Sequence, residues 1–493
     1  MRGADVLARG LAAAGVRQVF ALSGNHVMPV FDAALDAGLS MLHVRHEAAA
    51  VHMADAWGRL TGEVGVALVT GGPGHANAVS ALYTALEGES PVLLLSGHAA
   101  LGELGKGAFQ EMRQAELAAP LAKGSWTVQS VERLGEDLAR ALREARSGRP
   151  GPVHLSLPQD VLEAAIDTEV RLDLKVPRST STPFPAELLT AKRPVVIAGP
   201  AMMRDPRVRG LEEASGVPVI GMESPRGVND PSLGRLAEVL SRADAVLLLG
   251  KRLDFTLKFG GAFAPDCRVM RAEGDIRSPG KRLRSGSWLE EVKAALAYRP
   301  PQWQALAGRK DGPLHPVVLC RAVQKLLDAP GSVLVCDGGE FGQWAQACLS
   351  ATHRLINGPA GSIGLALPFA AAAKLALPQA PVVAMLGDGT FGFHLSEIDT
   401  AVRYGLDYVA VIGNDACWNA EYQIQLKAYG KGRARGLDLL PTRYGAAAAA
   451  LGAHGEDVHE GKQLHEALAR AAGAGRPACV NVLIERLPAP KYS

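Results

Sequence analysis

The sequence predicts an α/β protein built from three doubly wound parallel-sheet domains. Short apolar runs rich in Val, Leu and Ile alternate with Ala/Leu-rich helical stretches almost from end to end, the pattern of parallel strands covered by helices on both faces. The 493 residues exceed what one hydrophobic core supports, and length alone points to about three domains. Two polar, proline-bearing passages, Val176–Pro185 (VPRSTSTPFP) and Gly308–Pro316 (GRKDGPLHP), divide the alternation into three blocks.

The first block, residues 1–170, has strand patterns at Val16–Leu22, Val64–Thr70, Val92–Ser96 and Val153–Leu157, bounded by Gly or Pro, and helical patterns at Glu47–Leu60 and Ala76–Leu86. The second, residues 186–300, has strand patterns at Pro194–Ala198, Val217–Gly221, Ala245–Gly250 and Arg268–Ala272. In the third, residues 312–488, buried strands are expected at Ser332–Cys336, Pro381–Leu386 and Tyr408–Ile412, with Ala478–Ile484 closing the sheet. The most apolar long stretch, Gly364–Leu386, is broken by Pro368, Lys374, Pro378 and Pro381, so it reads as a helix followed by a buried strand rather than a membrane span.

An apolar content of 48%, a charged content of 21% and a net charge of +2 describe an ordinary soluble globular chain. Nothing in that balance favours nucleic acid or an anionic membrane as partner. The six cysteines, at 267, 320, 336, 348, 417 and 479, form no CxxC pair and no finger spacing, which points to buried thiols in a reducing compartment and against a zinc site. The first twenty residues carry charges throughout and lack the uninterrupted apolar core of a signal peptide, so a cytoplasmic location is expected.

Residues 381–421 carry the chemistry. They read as a buried strand, a Gly387-Asp388-Gly389-Thr390 turn, an amphipathic helix, a second buried strand and a polar Asn414-Asp415 turn. A carboxylate between two glycines at a strand's carboxyl end sits where open parallel sheets bind ligands. The helix that follows offers N–H groups to an anion, most naturally a phosphate, and a second oxygen ligand on the next strand completes a magnesium site. This spacing resembles the thiamine-diphosphate motif, in which Gly-Asp-Gly is followed about 24 residues later by an Asn-Asn pair. The resemblance assigns cofactor contacts to Gly387, Asp388, Gly389, Thr390 and Asp415. It places the metal ligands at the side chains of Asp388 and Asp415 and the backbone carbonyl of Cys417. The chain departs from the motif at Asp415, where the family has its second asparagine; the extra negative charge suits a hard divalent cation.

Val44-Arg45-His46-Glu47 ends a strand and opens a helix, and resembles the family's Arg-His-Glu motif. By that resemblance Glu47 hydrogen-bonds a ring nitrogen of the aminopyrimidine and promotes the tautomer that deprotonates the thiazolium carbon. A largely buried carboxylate suits the task, since burial raises its pKa; a carboxylate at a helix start is also simply favoured by the dipole. Thr70–Asn77 (TGGPGHAN), with Pro73 and Asn77, and Gly24 in the first loop resemble the backbone that approaches the pyrimidine. Asn357–Leu367 (NGPAGSIGLAL) resembles the segment in which Gly361 offers a carbonyl to the pyrimidine amine and Ile363 wedges the cofactor in its bent form. The resemblance also implies a homodimer or homotetramer with active sites at the subunit interface.

The resemblance covers nearly the whole chain and is closest to the acetolactate synthase group. Gln110, in GAFQE, looks like the glutamine that borders the substrate there, and RPGPVHLSLPQD (149–160) matches a stretch of that group except that Gln159 replaces a lysine. Glu421 stands where pyruvate and indolepyruvate decarboxylases carry an active-site glutamate, although a helix-surface glutamate reads the same way. His26, in the Gly24-Asn25-His26 loop, and His75 are candidate proton carriers because imidazole titrates near working pH. Trp418 and Ile424 also border the expected substrate site. The resemblance therefore implies a magnesium- and thiamine-diphosphate-dependent lyase or carboligase acting on a 2-oxoacid or aldehyde, without FAD because the middle block is small. A 2-hydroxyacyl-CoA lyase or oxalyl-CoA decarboxylase is the alternative; the basic run Lys427–Arg435 (KAYGKGRAR) would then contact the nucleotide, and otherwise reads as a lid over the diphosphate or as solvated surface. A cofactor-binding protein without activity is the alternative of another class.

Overall fold

The computed structural model describes residues 1–167, 173–175, 181–277, 279, 287–306 and 312–492. The first five residues of the expected linker at 176–185, and the part of the second at 308–311, lie outside the described residues. Sixteen strands form three sheets among the described residues, every pairing within them parallel.

The first sheet runs in the order β2 (Ser40–His43), β1 (Gln18–Ala21), β3 (Gly65–Val69), β4 (Val92–His98), β6 (Pro152–Pro158), β5 (Gly124–Thr127). Strands β3, β4 and β6 are buried at every residue. That is why they read as continuous apolar runs and not as alternation. Leu68, Leu93, Leu95, Val153 and Leu155 are fully enclosed at its core. The middle sheet has four strands, ordered β10 (Arg268–Ala272), β9 (Ala245–Leu249), β7 (Pro194–Ala198), β8 (Val219–Gly221). The third has the order β12 (His353–Ile356), β11 (Val333–Cys336), β13 (Val382–Gly387), β14 (Val409–Asn414), β16 (Ala478–Leu483), β15 (His454–Val458).

The first and third sheets share one strand order, a likeness of topology that no repeat in the sequence announces. In both, the chain passes from its first strand to one edge and then returns to the other side. The strand order thus reverses between β1 and β3, and again between β11 and β13. The loops at the carboxyl ends of these strands open the crevice where doubly wound sheets take ligands.

The structure corrects several boundaries. Ala478–Ile484 does not close the third sheet: β16 lies inside it, between β14 and β15. The strands β5, β12 and β15 stand at sheet edges, where water on one side tolerates sequences such as GSWT and HGEDV that carry no apolar run. The helix expected at Ala76–Leu86 spans Pro73–Glu87, because Pro73 occupies the first turn, where a missing N–H costs nothing. Four cysteines are buried as expected, whereas Cys267 and Cys348 are partly exposed; all six are free thiols.

The described chain forms two compact units. The first comprises Met1–Arg178 with Ala371–Pro378 and Asp399–Tyr404, and the second comprises the remainder, including the middle and third sheets. Among the described residues no helix is long and apolar enough to cross a membrane.

Candidate active site

In the second unit, a cavity of about 260 Å3 opens at the carboxyl ends of β11, β13 and β14. It gathers Gly361, Ile363, Gly387, Asp388, Gly389, Thr390, Asp415, Cys417, Trp418 and Glu421, all named by the sequence. The turn after β13 is tight: the Thr390 hydroxyl donates to the Gly387 carbonyl at 3.0 Å. A Cβ on Gly389 would stand 2.7 Å from the Trp418 ring, so only glycine fits beneath that ring. Glu421 and Ile424 are exposed on the helix Asn419–Tyr429. Of these two, Glu421 lines the cavity.

Asp388 is 2% exposed, and its Oδ2 has no hydrogen-bond partner among the described residues. Burial pushes its carboxyl up to about 6. Asp415 is pushed up to about 7, first by burial and then by the charge of Asp388. A buried and a half-buried carboxylate, the first raising the second and carrying an oxygen without a partner, leave a deficit of positive charge. A hard divalent cation fits that donor set. Among the described residues no group of three or more His, Cys, Asp and Glu side chains is suited to a metal. A cation here would need further oxygens besides these two side chains.

The cavity includes residues that the sequence reading missed. Gly338, Gly339 and Glu340 follow β11, and Pro225 and Arg226 reach in from the loop after β8. Arg226 pairs with Glu340 at 3.2 Å, and Glu340 is 7% exposed. The Asp337-Gly338-Gly339 turn carried a usable signal, a second acid followed by glycine at a strand's end. Asp337 takes up the N–H groups of Gly338, Gly364 and Ala366, so it pins the Gly361–Gly364 loop to the end of β11. Nothing in the sequence marked Arg226.

In the first unit, the carboxyl ends of β1 and β3 bring together another set. Glu47 opens the helix Glu47–Thr61, and its Oε2 accepts the Asn77 amide at 3.0 Å. Pro73 and Asn77 are exposed at the start of their helix. Gly72 has φ +56°, and a Cβ there would meet the Gln110 carbonyl at 2.6 Å, which joins the glycine turn to the Gln110 loop. Gln110 is itself left-handed at φ +55°. Gly24 is extended and leads into the His26 turn.

Two expectations for this half are corrected. Glu47 is half-buried in the single chain, not largely buried, because it stands at the rim of the crevice where the helix begins. His75 is no proton carrier for a site: it is fully enclosed, its Nδ1 lies 2.8 Å from the Ser96 hydroxyl, and its ring lies 4.5 Å from that of His154. Burial drives its pKa down to about 4, so it stays neutral near pH 7. His26 does reach the crevice, with Nδ1 3.3 Å from the Thr70 hydroxyl, but it is 3% exposed and the Phe109 ring stacks against it. Burial lowers its pKa too.

The enclosed histidines make stability depend on pH with a definite sign. Folded His75 and His154 titrate below the unfolded value of 6.5, so the unfolded chain takes up protons that the folded chain refuses. Their contribution is full above pH 6.5 and is lost as pH falls towards 4, on the order of 3 kcal/mol for His75. Thermal unfolding at pH 7.5 and pH 5 should show this loss, and His154→Asn should flatten it. Equal pH slopes in the two proteins would contradict the assignment.

Comparisons with known proteins agree with this geometry. The family model described as the thiamine pyrophosphate enzyme N-terminal TPP binding domain matches residues 1–117, and the corresponding C-terminal TPP binding domain matches residues 337–482. The chain is 32% identical to acetolactate synthase large subunit IlvG of Mycobacterium tuberculosis, over 98% of this chain and 96% of that protein. It is 31% identical to 2-hydroxyacyl-CoA lyase 2 of Homo sapiens, over 98% and 90% respectively. The same lyase of Caenorhabditis elegans is 29% identical over 98% and 89%. The first match covers strands β1 to β4 of the first sheet, and the second covers strands β12 to β15 and nearly all of β16 of the third, with the strand ends that hold Glu47, Asp388 and Asp415. The chain belongs to the thiamine-diphosphate-dependent enzymes of the acetolactate synthase and 2-oxoacid decarboxylase superfamily.

Proposed function

We propose that this protein, with thiamine diphosphate and Mg2+, breaks or makes carbon–carbon bonds beside a carbonyl. Its substrate is a 2-oxoacid, which it decarboxylates, couples to a second carbonyl compound as an acyloin, or both, in the manner of acetolactate synthase. The observation that carries the reading is the pair of carboxylates at adjacent strand ends, Asp388 buried with an unpartnered oxygen and Asp415 half-buried, both raised in pKa. In this reading their side chains and the Cys417 carbonyl hold Mg2+ against the diphosphate.

Bound there, thiamine diphosphate supplies the electron sink for the carbon that loses carbon dioxide or another group. The chain's own residues supply orientation and proton movement. Glu47 shares a proton with a pyrimidine ring nitrogen, and Asn77 fixes the carboxylate that does so. The Gly361 carbonyl would receive the pyrimidine amine, Ile363 would support the cofactor from below, and Gly24 and Pro73 would bring backbone to the ring. Glu421 moves the proton at the substrate carbon, Gln110 borders the substrate, and His26 lies behind it. Glu47 belongs to the first compact unit and Asp388 to the second. In this reading the two halves meet across a homodimer or homotetramer, one copy giving Glu47 to the Asp388 cavity of another. In this reading no FAD is required, the middle block being small.

A second reading, cleavage of a 2-hydroxyacyl-CoA, has support in the names of the lyase relatives and in the exposed run Lys427, Lys431, Arg433 and Arg435, which suits a nucleotide phosphate. The experiment that separates them is a substrate panel with purified protein, thiamine diphosphate and Mg2+. Carbon dioxide release or acyloin formation from pyruvate, aromatic or branched 2-oxoacids is the expected result. Turnover confined to CoA esters would replace the first reading by the second.

A further inference from the structure

The segment that follows β16 runs past the cavity, and its position is forced by topology. Strand β16 pairs in parallel with β14 up to Asn414 and Leu483, and the Ile484 N–H continues the ladder to the Asn414 carbonyl at 2.9 Å. The chain therefore leaves the sheet beside the loop that carries Asp415 and Cys417. There the Arg486 guanidinium turns back into that loop. Its Nη2 donates to the Ala416 carbonyl at 3.0 Å and to the Asp415 carbonyl at 3.3 Å, and its Nε lies 3.4 Å from the latter. Nη1 is held by Asp438 at 2.8 Å, and the guanidinium lies 5.2 Å from the centre of the Tyr422 ring.

The loop needs such support. Ala416 is left-handed at φ +51°, a conformation that strains a residue with a Cβ. The Asn414 side chain accepts the Ala416 N–H at 3.1 Å, and the Leu439 N–H donates to the Ala416 carbonyl at 2.8 Å. Arg486 adds a charged fork that engages two successive carbonyls at once, a task for which a planar guanidinium is shaped and a lysine is not. With the carbonyls of Asp415 and Ala416 drawn towards Arg486, the Asp415 side chain and Cys417 line the cavity. Two further ties follow: the Leu487 carbonyl accepts the Asn419 amide at 2.9 Å, and the Ala489 N–H donates to Glu340 at 2.5 Å. Asn419 and Glu340 are both cavity residues.

We infer that Arg486 is a positioning residue for divalent-cation binding: from behind the Asp415–Cys417 loop it holds the strained turn that presents the cation's oxygen ligands. The inference rests on the proposed reading of Asp388 and Asp415 as cation ligands. It gives the segment after β16 a role in cofactor affinity that reaches no substrate atom.

The test is binding of Mn2+, followed by its electron paramagnetic resonance signal, to protein saturated with thiamine diphosphate. Arg486→Met should weaken Mn2+ binding by about 10- to 100-fold, the range for residues that orient metal ligands. Arg486→Lys should fall between it and the unchanged protein. Asp438→Asn, which removes the ion pair and keeps the fork, should stay within about threefold. Raising Mn2+ should restore the turnover number of Arg486→Met while the concentration for half-maximal rate stays high. Affinity unchanged in Arg486→Met, or in Arg486→Lys should the former not fold, would overturn the inference and leave the cation site standing. Absence of Mn2+ binding in the unchanged protein would instead overturn the cation reading itself.

Discussion

Asp388→Asn is expected to move two measurements in opposite directions. Binding of Mg2+ with thiamine diphosphate should weaken by more than about 100-fold, beyond the cost of altering a residue that only orients a ligand. The cofactor-free protein, by contrast, should become more stable at pH 8. The Asp388 carboxyl titrates near 6 when folded and 3.8 when unfolded, so its charged form opposes folding above pH 6. An amide removes that charge and relieves Asp415 of its neighbour. Each kcal/mol recovered raises the melting temperature by about 2 °C in a unit of this size. A residue with a purely structural role would lower both measurements together. Calorimetric titration and thermal unfolding on the same preparation decide between the two.

Glu47→Gln is expected to lower turnover by about 10²- to 10⁴-fold, the usual yield of general acid–base catalysis, with cofactor affinity little changed. The amide keeps the shape and can still meet Asn77, but it cannot share a proton with a ring nitrogen. If the halves of the site come from two copies, mixing Glu47→Gln with Asp388→Asn should restore activity. One site of each mixed dimer escapes both changes, so an equal mixture recovers roughly a quarter of full activity when subunits reassort at random. A mixture as inactive as its components, with mixed dimers demonstrated, would place both residues of a site in one copy.

The parts of this molecule legible in sequence are those where one force dominates. Strands β3, β4 and β7 are buried throughout, and β13 at all but its last residue, so hydrophobicity alone marks them. Asp388 was legible because a carboxylate between glycines after such a strand has few structural uses. The edge strands β5, β12 and β15 were not, since water competes for their side chains and leaves no period. His75 was misread because a histidine within a glycine-rich helix start looks the same whether it faces a ligand or a buried serine. Arg226 and Arg486 were invisible for another reason. Each acts on a loop far away in sequence, on Glu340 and on Asp415 with Ala416, and only the fold sets those distances.

The proposed activation of bound thiamine diphosphate through Glu47 can be tested without knowing the substrate. The measurement is the rate at which the thiazolium C2 proton of the bound cofactor exchanges with deuterium, by quenched flow and NMR. Exchange should be far faster than in free thiamine diphosphate, falling by at least about 100-fold in Glu47→Gln. A bound cofactor that exchanges no faster than the free one, or as fast in Glu47→Gln as in the unchanged protein, would contradict it.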